Sequence, residues 1–119
     1  MATVAVIGAS NAPHKYGNKA VRAYLRQGWT VYPVNPNEKT VEGLNVYPTV
    51  TDVPGTVDRV AMYVPPSVGI TLLDAIKAKA PGELFLNPGS ESDELVERAT
   101  ALGLDPIQAC SIVDIGERH

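Results

Sequence analysis

Short runs of β-branched and apolar residues recur along the 119-residue chain, and most of them stop at glycine, proline or asparagine. Such runs are typical of strands that are buried on both faces of a parallel sheet. Segments with helical spacing of apolar residues separate the runs, and this alternation predicts right-handed parallel crossovers. The predicted strands are residues 3–8, 30–34, 57–64, 83–87 and 106–109, with a further short strand near 44–47.

Three helices are predicted between these strands. The first covers about residues 16–27, and the second begins at Ser67 as its cap and ends at Pro81. The third lies in SESDELVERATALG, where serine caps and an acidic first turn precede a terminal Gly103. The expected fold class is α/β, a doubly wound parallel sheet of about five strands in a Rossmann-like three-layer α/β/α sandwich, with residues 1–119 as one domain.

Composition excludes several kinds of partner. The formal net charge of −3 gives the chain no general attraction to polyanions, so we expect no nucleic-acid partner. No apolar run approaches the roughly 20 residues that span a bilayer, so we expect no membrane partner. A single cysteine, Cys110, permits no internal disulfide, which favours the cytosol. The composition is compatible with a homo-oligomer as well as with a monomer.

Each predicted strand ends in an unusual loop of small residues or prolines. The loops read GASN, VNPN, VPPS and LNPGSES, and in a parallel sheet all four lie along the carboxyl edge, where ligands bind in this class of fold. Glycines and backbone amides ahead of a helix favour an anion such as a phosphate. The alternative is a long turn that only requires glycine.

A dinucleotide site is not favoured by these loops. The fingerprint of such sites is G-x-G-x-x-G, whereas the glycine that follows Gly8 is Gly17. An NAD site also places an acidic residue at the end of the second strand, and this chain has Asn35 and Pro36 there. Both departures weaken the interpretation of these loops as a dinucleotide site.

Several motifs taken together resemble a known family. VAVIGASN, GWTVYPVNPNE and GLNVYPTVTDVPGTVDRVAMYVPP, followed by the terminal cysteine segment, resemble the small stand-alone CoA-binding domain family in order along nearly the whole chain. They are also similar to the N-terminal CoA-binding domain of the succinyl-CoA synthetase α subunit. The chain departs from the family at FLNPG and in its longer ending, CSIVDIGERH. The resemblance implies a Rossmann-like domain that holds coenzyme A along the strand ends.

The resemblance also implies which residues contact each part of coenzyme A. The phosphate end is assigned to Gly8, Ala9, Ser10 and Asn11, the adenosine side to Val34, Asn35 and Pro36, the next stretch to Val64, Pro65 and Pro66, and the pantetheine side to Asn87, Pro88 and Gly89. Lysine charge gives a separate indication, because the extra ribose phosphate of coenzyme A attracts cations and Lys15 lies in the first loop, where His14, Lys19, Arg22 and Lys39 are also near.

No catalytic constellation is visible in the sequence. His14 and His119 lack a partner at metal-ligand spacing, and Cys110 is interpreted either as a small buried residue or as a thiol that forms a mixed disulfide with coenzyme A. The predicted function is non-catalytic binding of coenzyme A or an acyl-CoA. The alternatives are an NAD(P)- or other nucleotide-binding enzyme domain and a regulatory protein-interaction subunit.

Overall fold

A computed structural model describes residues 2–119 and confirms the five-stranded parallel sheet. The strand order is β2-β1-β5-β6-β7, so the first strand lies second from one edge. Val4 of β1 is opposite Val31 of β2 and Arg59 of β5, which fixes the register at the centre of the sheet. The strands are β1 (Thr3–Ile7), β2 (Thr30–Val34), β3 (Thr40–Val41), β4 (Leu44–Asn45), β5 (Arg59–Met62), β6 (Glu83–Leu86) and β7 (Pro106–Gln108).

Helices cover both faces of the sheet, as a doubly wound α/β fold requires. Short 3-10 turns occur at Val50–Asp52 and Ile70–Leu72. The helices are α1 (Tyr16–Arg26), α2 (Pro66–Gly69), α3 (Leu73–Lys79), α4 (Asp93–Ala101) and α5 (Ser111–Asp114). No helix of residues 2–119 is both long and apolar enough to cross a membrane.

Two hydrophobic cores result from the alternation of side chains along the strands. Val4 and Val6 pack with the buried face of α1 and with Ile112 of α5 on one side of the sheet. Ala5 and Ile7 pack on the other side, in the core formed with α3 and α4. The strands are therefore buried on both faces, as their continuous apolar sequences predict.

The helix after β5 differs from the prediction. Ser67 is not its cap, because α2 already begins at Pro66 with Pro65 as the N-cap. Proline is favoured in a first turn since its missing N–H has no helical partner there. The predicted continuous helix is also divided into α2, a 3-10 turn and α3, which ends at a left-handed Ala80 with φ 51°. The predicted cap of α4 is confirmed, since Ser92 Oγ accepts a hydrogen bond from Leu95 N at 3.1 Å.

A small hairpin replaces the single short strand that was expected near 44–47. Residues Thr40–Val41 pair with Leu44–Asn45 in antiparallel register, and Glu42 (φ 50°) and Gly43 (φ 77°) make the turn. Two positive φ angles are the signature of the tight turns that join hairpins. The hairpin lies directly after the loop that ends β2, which places it beside the carboxyl edge of the sheet.

Candidate functional site

Two glycines bring the first strand and the first helix into direct contact. Gly8 has φ +93° and donates its N–H to Val34 O at 3.0 Å, so the chain turns sharply at the end of β1. A Cβ on Gly17 would lie only 2.0 Å from Gly8 O, and only glycine permits this approach. The start of α1 therefore lies directly on the turn that follows β1.

The loop between Gly8 and α1 is braced by a buried side chain. Asn18 is fully buried, and its Nδ2 donates to Ser10 O at 2.9 Å while its Oδ1 accepts from Arg22 Nε at 2.7 Å. Arg22 also donates to Pro13 O at 2.9 Å. This arginine, one of the cations noted in the sequence, is thus used to hold the loop.

Asn35 joins the first loop to the second. Its Nδ2 donates to Ala9 O at 2.8 Å, and its Oδ1 accepts from Asn37 N at 2.8 Å. Its backbone N–H donates to Tyr47 O at 3.0 Å, so a third segment is held as well. The Asn35 side chain therefore helps to shape this edge, with one hydrogen bond at its amide nitrogen and one at its amide oxygen.

A further bridge links the first loop to the hairpin. Asn11 Nδ2 donates both to Glu38 Oε2 and to Thr40 O, the latter at 2.7 Å. Asn18 Nδ2 also contacts Glu42 Oε2 at 3.2 Å. These hydrogen bonds therefore hold the hairpin against the loop that precedes α1.

Two adjoining cavities open along this edge. The apolar cavity has a volume of about 470 Å³, and the polar cavity about 750 Å³. Four residues line both cavities and form the junction: Gly8, Asn35, Asn37 and Val64. Characteristic lining residues of the apolar cavity are Val34, Pro36, Pro48, Val50, Val68 and Leu72. Those of the polar cavity are Ser10, His14, Lys15, Tyr16, Glu38 and Tyr63.

The start of α1 gives the polar cavity its electrostatic character. Lys15 is the N-cap residue of α1, no side chain caps this end, and the first turn holds no acidic residue. Lys15 N and Asn18 N already donate to Ala12 O and Lys15 O, so the N–H groups of Tyr16 and Gly17, with the positive end of the helix dipole, remain available to an anion. His14, Lys15, Tyr16 and Gly17 all line the cavity at this point.

A third, smaller cavity of about 160 Å³ lies beside the polar one and shares Tyr16, Tyr63 and Pro88 with it. Asn87 and Cys110 also line it. Asn87 is buried, and its amide donates to Met62 O at 2.9 Å and accepts from Ser111 N at 2.8 Å.

Tyr63 separates the polar cavity from the small one. Its hydroxyl hydrogen-bonds with Ser111 Oγ at 2.9 Å. Burial raises the pKa of Tyr63 well above its usual value, against the opposing effect of that hydrogen bond. The residue therefore stays a neutral hydrogen-bonding group at physiological pH.

The structure brings most of the residues selected from the sequence to these cavities. Ala9 lies buried beneath the first loop, Asn11 bridges to the hairpin, and Pro66 begins α2, so these three line none of the three cavities. Asn87 lines the small cavity. The others line the apolar cavity, the polar cavity or both: Gly8, Ser10, Lys15, Val34, Asn35, Pro36, Val64, Pro65 and Gly89.

One wall of the apolar cavity was not anticipated. It consists of Pro48–Val50 and the inner faces of α2, the following turn and α3, represented by Val68, Leu72 and Ala75. The sequence does contain a signal for the Pro48–Val50 part of this wall. Thr49 and Asp52 form a reciprocal capping box, and their spacing is visible in TVTD. No group of three or more His, Cys, Asp or Glu side chains within residues 2–119 is placed to hold a metal ion.

Comparison with known proteins gives consistent relatives. The family model described as "CoA binding domain" matches residues 2–116. The α subunit of ADP-forming acetate–CoA ligase II from Pyrococcus furiosus is 37% identical over 112 residues, which cover 85% of this chain and 24% of that subunit. The chain thus spans about a quarter of the length of this curated relative.

Solved structures share the fold. A conserved hypothetical protein from Pyrococcus furiosus is 32% identical, with a TM-score of 0.86, and the match covers 96% of this chain and 99% of that one. A dinucleotide-forming acetyl-coenzyme A synthetase from Ca. Korarchaeum cryptofilum is 31% identical, with a TM-score of 0.78, over 91% of this chain and 25% of that one. The fold therefore occurs both in short proteins and as part of larger synthetases.

Proposed function

Because the chain belongs to the CoA-binding domain family, we propose that it binds coenzyme A, free or acylated, without catalysing a reaction on it. The observation that carries the proposal is the junction of an apolar and a polar cavity at the carboxyl edge of the sheet. Coenzyme A has matching parts, since an adenine ring is followed by phosphates and a polar chain. Residues 1–119 would form one binding domain, and no ligase reaction is assigned to it because the chain spans 24% of the ligase subunit.

The adenosine part fits the apolar cavity best. Val34, Pro36, Pro48 and Leu72 offer apolar surface for a flat ring, and small-molecule sites are mainly of this kind with a few fixed polar groups. The rigid prolines also fix the direction of nearby backbone groups, which could pair with the edge of the adenine ring.

The diphosphate fits the polar cavity at the start of α1. The uncapped helix end, the Ser10 hydroxyl and the Lys15 ammonium favour negative charge there, and the His14 ring offers a hydrogen-bond donor beside them. The pantetheine arm would then extend past Pro65 and Gly89, which line the same cavity. Its thiol end would reach the small cavity with Cys110. A mixed disulfide there would form by thiol–disulfide exchange, in which the Cys110 thiolate attacks a disulfide of coenzyme A with a second thiol compound and releases that second thiol. The cytosol is the compartment we assign to this binding, from the single cysteine of the sequence.

One observation favours a second candidate, an NAD-type nucleotide. Glu38 lies on the loop after β2 and lines the polar cavity, so a carboxylate is present near the strand end where NAD sites use one. The loop after β1 still lacks the glycine fingerprint of dinucleotide sites. Coenzyme A therefore remains the better candidate.

Thermal unfolding with a panel of ligands tests the proposal. A ligand that binds only the folded chain raises its unfolding midpoint in proportion to RT ln(1 + [L]/Kd). We expect coenzyme A at millimolar concentration to give the largest rise, ahead of ATP, NAD and NADP. No rise with coenzyme A or acetyl-CoA would refute the proposal, and a larger rise with NAD would favour the second candidate. Mass spectrometry of small molecules released from the purified, denatured protein identifies any ligand retained from the cell.

A further inference from the structure

Positive charge is concentrated on the outer face of α1. Residues 1–37 contain four lysines and arginines and no aspartate or glutamate, a formal charge of +4 in a chain whose net charge is −3. Three of the four, Lys19, Arg22 and Arg26, lie within α1 at spacings of three and four residues, so they share one face of the helix. A basic surface is therefore present on a chain that is acidic as a whole.

A fourth cavity, of about 250 Å³, lies against this face, and we term it the basic cavity. Its described lining consists of cationic side chains and one imidazole: Lys19, Arg22, Arg26, Arg118 and His119. None of these residues lines the apolar or the polar cavity. The basic cavity is thus separate from the site proposed for coenzyme A.

The segment after α5 forms one wall of the basic cavity. Glu117 Oε1 accepts from Arg26 Nε at 2.8 Å, and Glu117 Oε2 accepts from Gln27 Nε2, so both oxygens of this carboxylate already have partners. Lys19 Nζ donates to His119 O at 3.2 Å, which holds the last residue against α1. Arg118, between these two contacts, is thereby placed beside the helix.

The cations of the basic cavity are incompletely paired by the protein. None of the ion pairs and side-chain hydrogen bonds of residues 2–119 includes Arg118. Arg22 and Arg26 are four residues apart on one helix, a spacing at which like charges destabilise the helix. A bound anion would offset this repulsion and would accept charge-assisted hydrogen bonds from the unused guanidinium donors.

From this arrangement we infer that the basic cavity is a second binding site, which takes a phosphate group as the free ion or on a small ester. Guanidinium groups match phosphate oxygens with pairs of parallel hydrogen bonds. A volume of about 250 Å³ has room for roughly eight water-sized groups of about 30 Å³ each, which is enough for phosphate with a short ester group. The inference does not depend on coenzyme A binding.

Amide NMR spectra of isotope-labelled protein test the inference, with inorganic phosphate or ethyl phosphate replacing chloride at constant ionic strength. We expect the amide signals of Arg22, Arg26 and Arg118 to shift and to saturate along one binding curve. Since Arg118 has no partner in the described chain, Arg118→Gln should keep the fold and raise the Kd for phosphate about fivefold. Arg98→Gln is the matched control, because it makes the same charge change on α4.

The outcomes decide both the site and the source of the phosphate. Saturating shifts with both probes assign the site to phosphate esters, and shifts with inorganic phosphate alone assign it to the free ion. No saturating shift, or shifts confined to Ser10 and Gly17 at the polar cavity, would overturn the inference. So would an unchanged Kd in Arg118→Gln, or an equal rise in Arg98→Gln, which would indicate a general effect of net charge. Coenzyme A binding is measured separately, so each of these results leaves the proposed function standing.

Discussion

The two edges of the sheet use polar residues in opposite ways. At the amino edge, Arg59 is buried and its guanidinium is paired with Glu83 and with Asp114, each at 2.9 Å. It also lies over the rings of Phe85 and Trp29, at 4.2 and 5.1 Å from their centroids. At the carboxyl edge, the helix start is left uncapped and cavities of about 470 and 750 Å³ remain open. The chain's own ion pairs and rings fill the amino edge, whereas the carboxyl edge keeps two cavities and an uncapped helix start.

The largest effect is expected at the amino edge, in Arg59→Ala. Loss of the guanidinium leaves the Tyr24 hydroxyl without its partner and opens a cavity between two rings, so we expect a cost of about 3–5 kcal/mol in unfolding free energy. Urea denaturation measures this cost. Arg98→Ala is the control, because its ion pair with Glu94 is at the surface and should contribute about 0–1 kcal/mol. Equal costs for the two variants would contradict the contrast between the edges.

Gly17→Ala tests the carboxyl edge of the sheet, where α1 begins. The added methyl group meets Gly8 O, so α1 and the first loop have to separate, at a cost of about 1–3 kcal/mol. We expect the folded variant to lose coenzyme A binding as well, as measured by calorimetry. Gly28→Ala is also strained by its φ of +81°, but it lies at the far end of α1 and should lose stability alone. Retained binding in Gly17→Ala would show that the helix start is not part of the site.

Ala75→Phe fills the apolar cavity from α3. A ring at this position competes with the ligand for apolar space, so we expect at least about a tenfold loss of affinity for coenzyme A, equivalent to about 1.4 kcal/mol. Fluorescence or calorimetric titration measures the affinity. Ala78→Phe, on the exposed face of the same helix, should leave binding unchanged. Equal affinities in the two variants would place the adenosine elsewhere.

Alkaline unfolding probes the boundary between the polar and small cavities. Because the pKa of Tyr63 is raised by burial, the folded chain retains this proton above pH 10, where an unfolded tyrosine releases it. Stability should therefore fall as pH rises above 10, with Tyr63 contributing about 1.4 kcal/mol per pH unit until its folded pKa is reached.

Denaturation curves at several pH values measure this slope. In Tyr63→Phe the slope of unfolding free energy against pH above pH 10 should be smaller by about 1.4 kcal/mol per pH unit. Ser111→Ala removes only the hydrogen bond to the Tyr63 hydroxyl and should keep the wild-type slope. An identical slope in wild type and Tyr63→Phe would disprove the role of this burial.

The smallest effect is expected for Lys15→Gln. A surface cation beside the helix start contributes modestly to anion binding, so we expect affinity for coenzyme A to fall about threefold and to depend less on salt. Lys39→Gln is the control because Lys39 lines neither cavity. Equal losses in both variants would indicate a general effect of net charge.

The sequence predicts the sheet better than it predicts the helices and the hairpin. β-branched runs that stop at glycine or proline carry a strong signal, and the five strands and the Ser92 cap are confirmed. The hairpin of Thr40–Val41 and Leu44–Asn45 is missed in part, because strands of two residues have no detectable period. The break between α2 and α3 is missed because apolar spacing alone does not register a single 3-10 turn.

The sequence predicts where the candidate site lies better than it predicts which residues contact one another there. The four loops at the strand ends could be located because parallel strands share an edge. The roles of Asn35 and Asn18 could not be predicted, because the sequence does not distinguish an asparagine that braces a loop from one that binds a ligand. Val68 and Leu72 have the spacing of core residues, so the wall they form becomes visible only when the helix is placed over the sheet.

The residues common to both cavities also have a consequence for fragments of coenzyme A, the proposed ligand. The two cavities adjoin at Gly8, Asn35, Asn37 and Val64, which line both. Adenosine and pantetheine phosphate should therefore bind side by side without displacing each other, each weakly. Joining them makes the second contact intramolecular, with an effective concentration in the millimolar range or above for a short link. Intact coenzyme A should therefore have a lower Kd than either fragment alone. The gain comes from the covalent bond that holds the two fragments together, and it needs no additional contact with the protein.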